Sequence, residues 1–272
     1  MLKTRKILTV LFCVAIVAGL SVKALAAESL LDEVQKRGVL RVGVMLDFPP
    51  LGSYDEKGQP LGFNVDLAKD MAEALGVKLE IIETVSANRI PALVSGRIDV
   101  SSAGLTITNE RAKTVAFTRP DRRGAMFVLV KKDSAIQTLD DCAKFQGKIG
   151  TVRGTTPEIH FLNHFKNMGI EIEHISFDAN ADQLLALDQG KVEAIAETDI
   201  WFGEVMAKFP GKYRIVGPSY FDEYTGLAVR YGDPTWLHWV DTFLYLEHIS
   251  GRVKELHLKY NMPYVPIRPA YE

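Results

Sequence analysis

The chain has 272 residues, enough for one large domain or two smaller ones. Its 32 Lys and Arg nearly balance its 34 Asp and Glu, for a net charge of −2, so it is not built to coat nucleic acid or anionic lipid. Two cysteines leave no room for a disulfide framework.

Residues 1–26 have the layout of a secretory leader. Lys3, Arg5 and Lys6 form a positive start, Ile7 to Val22 is almost wholly apolar, and Ala24-Leu-Ala26 is a small-x-small cleavage site. The apolar run is short for a membrane anchor. Cleavage makes Ala27 the first residue of the mature, secreted protein. Losing Lys3, Arg5, Lys6 and Lys23 takes the net charge from −2 to −6. Only Cys142 survives, a lone thiol with no adjacent His and no ligand spacing, read as buried or idle.

The mature chain then alternates strand and helix. A helix over Leu30–Arg37 stops at Gly38, and Val39–Val44 reads as a strand. Pro49 and Pro50 force the chain out at its carboxyl end. Residues 54–58 form an exposed turn. Asn64 is a plausible cap for a helix over Val65–Leu75. Strand Val77–Ile82, helix Arg89–Ser95 and strand Ile98–Ser101 complete a β-α-β-α-β run. That alternation predicts a parallel sheet covered by helices, with ligands beyond the carboxyl ends of the strands. Loops 45–52, 83–88 and 102–111 therefore share one rim.

After a strand at Ala125–Val130 the pattern restarts. Helix 139–145, strand Lys148–Val152, a turn at Arg153–Thr156 and a helix opening with Pro157 are followed by strand Ile172–Phe177 and helix Asp182–Gln189. Strand Val192–Ala196 leads into Glu197-Thr-Asp199 and helix Ile200–Lys208. Strands at Tyr213–Val216 and Thr225–Arg230 precede a largely helical 234–260, whose Trp236, Trp239, Val240, Phe243, Leu244 and Leu246 are expected to make a core-facing stripe.

The third rim loop carries the chemistry. Ala103-Gly-Leu-Thr-Ile-Thr-Asn-Glu-Arg111 offers Gly104 for close approach, Thr106 and Thr108 at a helix start, and Arg111 one turn in. Free N–H groups and a guanidinium suit one carboxylate; a capped helix with a solvated Arg satisfies the same residues. Together with Asn88-Arg-Ile-Pro-Ala-Leu-Val-Ser-Gly-Arg-Ile-Asp99, this stretch closely resembles the bacterial extracellular solute-binding proteins of family 3, periplasmic polar-amino-acid receptors of ABC importers.

The resemblance implies an α/β, two-lobed periplasmic-binding-protein fold of the type II kind, joined by two hinge crossings near 121–125 and 221–225. Residues 27–121 and 225–272 then form one lobe and 122–224 the other. It implies that Gly104, Thr106 and Arg111 hold a ligand α-carboxylate, with Gly154, Thr155 and Thr156 facing it from the second lobe. Asp199 takes the α-ammonium or caps the helix that follows. Phe48 and Phe63 cover the ligand's aliphatic part or belong to the core. The expected ligand is a polar or acidic amino acid. Met45, where several relatives carry Asp, argues against a cationic side chain, and Asn88-Arg89-Ile-Pro resembles glutamate/aspartate binders. Arg89 either reaches a side-chain carboxylate or sits on the surface.

The expected partner is an ABC permease, with the protein a monomer and no cofactor or metal. His160 and His164 share a helical face at metal spacing but have no third ligand nearby. The alternative is a secreted dehydratase on the same fold, similar to the cyclohexadienyl dehydratases. That enzyme needs a general acid, for which Glu158, His160 and Glu204 are the candidates. A third reading, the sensor domain of a receptor kinase, would need a separate partner.

Overall fold

The computed structural model describes residues 28–146 and 148–266, so the leader and Cys13 lie outside the described residues. Helix α1 (Leu30–Arg37) is capped by the Ser29 side chain and ends at Gly38. Strands β1 (Val39–Val44), β4 (Lys78–Glu83) and β5 (Val100–Thr106) pair in parallel, β1 in the middle. Helices α2 (Phe63–Leu75) and α3 (Arg89–Val94) connect them. A two-stranded hairpin, β2 (Ser53–Tyr54) and β3 (Pro60–Leu61), flanks the exposed turn at 55–58.

The second unit repeats the plan. Strands β7 (Ile149–Val152), β8 (Ile175–Phe177) and β9 (Ala194–Thr198) are parallel. They alternate with α4 (Thr156–Asn167), α5 (Asn180–Asp188) and α6 (Asp199–Lys208). Helices α7 (Pro234–Ile249) and α8 (Arg252–Lys259) return to the first unit. There Trp236, fully buried, donates its indole N–H to Asp99 O at 3.1 Å.

Two strands longer than the sequence pattern showed join the units. Strand β6 (Val115–Lys131) has 17 residues and β10 (Tyr213–Arg230) has 18, the latter merging two expected short strands into one. They pair antiparallel along most of their length. β10 pairs with β5 on one side and β6 with β9 on the other, so one eight-stranded sheet runs β4-β1-β5-β10-β6-β9-β7-β8. The sequence shows these strands only in pieces because their polar middles break the apolar alternation that marks a buried strand.

Other boundaries moved for local reasons. α2 starts at Phe63 and not Val65, with Gly62 as its cap in place of Asn64. Gly62 has φ 132°, and a side chain there would meet Leu51 O at 2.5 Å, so only glycine lets the loop and helix touch. Strand β5 continues through Gly104 to Thr106, where a turn had been expected. Arg111 opens a three-residue 3-10 turn, Arg111–Lys113, and not a helix. β9 runs two residues further than expected and carries Glu197 and Thr198 inside the sheet. The unusual Arg119–Arg123 run stitches the crossing strands. Arg119 grips Asp241 with two nitrogens at 3.1 and 2.7 Å, and Asp121 accepts the Thr225 hydroxyl at 2.6 Å.

Candidate functional site

A cleft with about 400 Å³ of empty space lies where the carboxyl ends of β1 and β5 face the start of α4 and the end of β9. From the first unit come Met45, Phe48, Leu51, Asn64, Ser86, Arg89, Ala103, Gly104 and Thr106; from the second, Thr155, Thr156, Pro157, Glu197 and Thr198. Arg122 and Glu223 line it from the two long strands.

The structure brings Phe48, Gly104, Thr106, Thr155 and Thr156 of the sequence reading into one cavity. Arg111 sits at its edge. Its guanidinium donates to Thr106 O (3.0 Å) on its own side, and to Thr156 Oγ1 (2.8 Å) and Gly154 O (3.1 Å) on the other. Burial lowers its pKa, opposed by the nearby Glu223 carboxylate. Phe48 also reaches across, its ring stacked 6.5 Å from that of Trp201 in α6.

Two expected residues are elsewhere. Phe63 is fully buried, edge-on to His257 with ring centres 4.9 Å apart; as the first residue of α2 it points into the packing between α2 and α8. Asp199 is not in the lining. Its Oδ1 accepts the N–H groups of Ala125 (3.2 Å) and Ile200 (2.9 Å). The two-residue extension of β9 is the reason. It turns Glu197 and Thr198 toward the cavity and leaves Asp199 at the helix start.

The start of α4 is held by a reciprocal cap. Thr155 Oγ1 accepts the Glu158 N–H (3.3 Å), and Glu158 accepts the Gly154 N–H (2.9 Å) and the hydroxyls of Thr151 (3.0 Å) and Ser176 (2.6 Å). Glu158 is thus the brace of this turn. His160 stacks on Phe221 at 3.5 Å and His164 contacts Asp140 at 2.8 Å, so the two rings have other partners. None of Glu158, His160 and Glu204 lines the cleft.

The charged lining was the part least visible in the sequence. Arg89, 4 % exposed, donates to Ser86 O (3.2 Å), Ala103 O (2.9 Å) and Gly104 O (3.0 Å). Burial, with the repulsion of Arg111, lowers its pKa to about 9. Glu197 is buried; one oxygen accepts the Thr198 N–H (2.9 Å) and Oε2 has no partner among the described residues. Burial pushes its carboxyl up to about 8. Glu223, also raised by burial, accepts the Thr106 hydroxyl at 2.5 Å. Both side-chain polar atoms of Asn64 are likewise without a partner among the described residues. Arg122 and Glu223 fall inside the expected crossings, which was the available signal; Glu197 gave none beyond being an acid just past an expected strand end.

A family model for the bacterial extracellular solute-binding proteins, family 3, matches residues 40–263. The chain belongs to that family. Two relatives span nearly its whole length. The L-cystine-binding protein TcyJ of Escherichia coli (strain K12) is 29% identical, over 94% of this chain and 95% of that protein. The glutamate/aspartate import solute-binding protein of Salmonella typhimurium is 31% identical, over 93% and 87%. Among solved structures, the ancestral amino acid-binding protein AncCDT-1, a precursor of cyclohexadienyl dehydratase, superposes with a TM-score of 0.75 at 34% identity, over 86% of this chain and 99% of that one. This family 3 protein therefore has the two-lobed α/β fold of amino-acid-binding proteins. No helix among its described residues is long and apolar enough to cross a membrane.

Proposed function

We propose that this protein is a periplasmic receptor that closes two lobes around a polar, acidic amino acid and presents it to an ABC permease. The observation that carries the reading is Arg111, whose guanidinium bonds to Thr106 on one face of the cleft and to Thr156 and Gly154 on the other. A carboxylate held there touches both lobes, so its binding energy favours the closed state over the open one. Arg89 supports an acidic ligand, because a guanidinium this buried is best compensated by an anion. The relative that imports glutamate and aspartate fits that chemistry.

The hinge lies in the middle of β6 and β10, near residues 121–125 and 221–225, separating 27–121 plus 225–272 from 122–224. The leader is removed after Ala26, and N-terminal sequencing of periplasmic protein should begin at Ala27. Retention of residues 1–26 on released protein would contradict this.

The direct test is a thermal-shift screen of the purified protein against the common amino acids, since a ligand of the folded state raises Tm by mass action. We expect a rise with acidic amino acids and a smaller radius of gyration in X-ray scattering with the same ligand. No rise with any amino acid would remove the receptor reading. One observation favours the enzyme alternative: the protonated carboxyl of Glu197 in the cleft is chemically a general acid. Turnover of prephenate or arogenate by the purified protein, lost in Glu197→Gln, would replace the receptor with a dehydratase.

A further inference from the structure

We propose that Arg122, on the crossing strand β6, is the specificity-determining residue that reads a second carboxylate on the ligand, so that the receptor separates diacidic amino acids from their neutral amides. The inference rests on the amino-acid reading above and assigns a residue to its selectivity.

Three observations carry it. First, Arg122 is 2 % exposed, lines the cleft, and its Nε and Nη1 have no hydrogen-bond partner among the described residues. Its nearest acid is Glu223, at 3.8 Å from Nη1, beyond hydrogen-bond reach. The other Glu223 oxygen is already taken by Thr106. A buried guanidinium with idle nitrogens is costly unless something anionic completes it, so an incomplete set of partners in a ligand cleft points to the ligand.

Second, the space around the guanidinium depends on glycines. A Cβ at Gly104 would lie 3.2 Å from Nη2, and one at Gly124 would lie 3.1 Å from Nη1. Glycine at both positions is what gives the guanidinium room to sit beside the cleft.

Third, guanidiniums gather at the cleft. Arg89 and Arg122 line the cleft beside Glu197 and Glu223, and Arg111 adjoins them through Thr106 and Thr156. The carboxylates of Asp47 and Asp199 act on Arg89 and Arg122 from behind the lining, so the guanidiniums and not a net charge mark the place for an anion. An amino acid with two carboxylates and one ammonium brings net negative charge, and a neutral zwitterion brings none.

The experiment is titration calorimetry on the purified protein at pH 7 with two matched pairs, L-glutamate against L-glutamine and L-aspartate against L-asparagine. Wild type should bind the acid of at least one pair tenfold or more tighter than its amide. Arg122→Gln should lose that preference by weakening the acid tenfold or more, with the amide within threefold of wild type. A residue that merely supports the fold would weaken acid and amide alike, and that result overturns the inference. So does equal wild-type affinity for acid and amide, or a preference that survives Arg122→Gln. If Arg122→Gln does not fold, Arg122→Lys decides: it keeps the charge without the two-pronged grip, so the preference should shrink several-fold, and an unchanged ratio refutes the assignment. Failure of every amino acid to bind wild type would instead defeat the receptor reading, and the inference with it.

Discussion

Two buried clusters of opposite charges sit near the two ends of β5, the second built from the strands beside it. At the amino end of β5, Asp99 is fully buried and completely paired: Arg41 donates its backbone N–H (2.8 Å) and Nη2 (2.8 Å), and Arg37 adds a third contact. At the carboxyl end, Arg122, Glu197 and Glu223 are as deeply buried, yet Arg122 keeps idle nitrogens and Glu197 an idle oxygen. A satisfied cluster holds a fold together; an unsatisfied one at the mouth of a cleft is held in place by the fold for something else to complete. The difference separates stability from binding within one sheet.

The comparison breaks most visibly at Asp99. Asp99→Ala leaves two guanidiniums facing a buried void and should cost about 3–5 kcal/mol of stability. Denaturant melts give the value, and a loss under 1 kcal/mol would put Asp99 on the decorative side. Arg111→Lys is the counterpart in the cleft. It should weaken the amino acid found in the screen by about 2–5 kcal/mol in calorimetry, with little change in stability. A large stability loss with unchanged affinity would reverse the roles of the two ends.

Glu197 sharpens the contrast through pH. Its folded pKa is raised from 4.5 to about 8, because burial disfavours the charged form. The folded state therefore holds a proton that the unfolded state has lost between those values. The stabilisation is complete below pH 4.5 and is lost as pH rises toward 8, at about 1 kcal/mol per pH unit. Unliganded Glu197→Gln should lack this decline. An identical pH dependence of Tm in the two proteins would mean that Glu197 is ionised throughout. Smallest of all is the exposed pair of Arg123 and Asp222, 2.7 Å apart. Arg123→Gln should leave the denaturation midpoint unchanged. It neighbours Arg122 in sequence but points away from the cleft, so it serves as the control for that residue.

The placement of individual site residues followed how far their surroundings were local. Phe48, Gly104, Thr106, Thr155 and Thr156 could be read because each belongs to a short rim segment whose turn chemistry fixes it: two prolines, a positive-φ glycine, and a Thr-x-x-Glu cap. Phe63 and Asp199 were misplaced by the same local reading. Phe63 depends on where Gly62 starts α2, and Asp199 on two extra residues of β9 pairing with Met126 and Phe127 of a distant strand. Arg89 was left open between ligand and surface, and only the fold buries it against the backbone of residues 86, 103 and 104.

By itself the sequence determined the alternation of strand and helix, the shared rim at the strands' carboxyl ends and the basic residues available there, because periodicity and turn residues act over a few positions. Tertiary structure alone decided that β6 and β10 run unbroken through the middle of one sheet. Their register sets Arg122 opposite Thr225 and Gly124 opposite Glu223, which puts a guanidinium and a carboxylate from distant parts of the chain on the floor of one cleft. No local pattern encodes that, since a polar residue in a strand looks the same whether it faces water, a partner or a ligand until the neighbouring strands are in place.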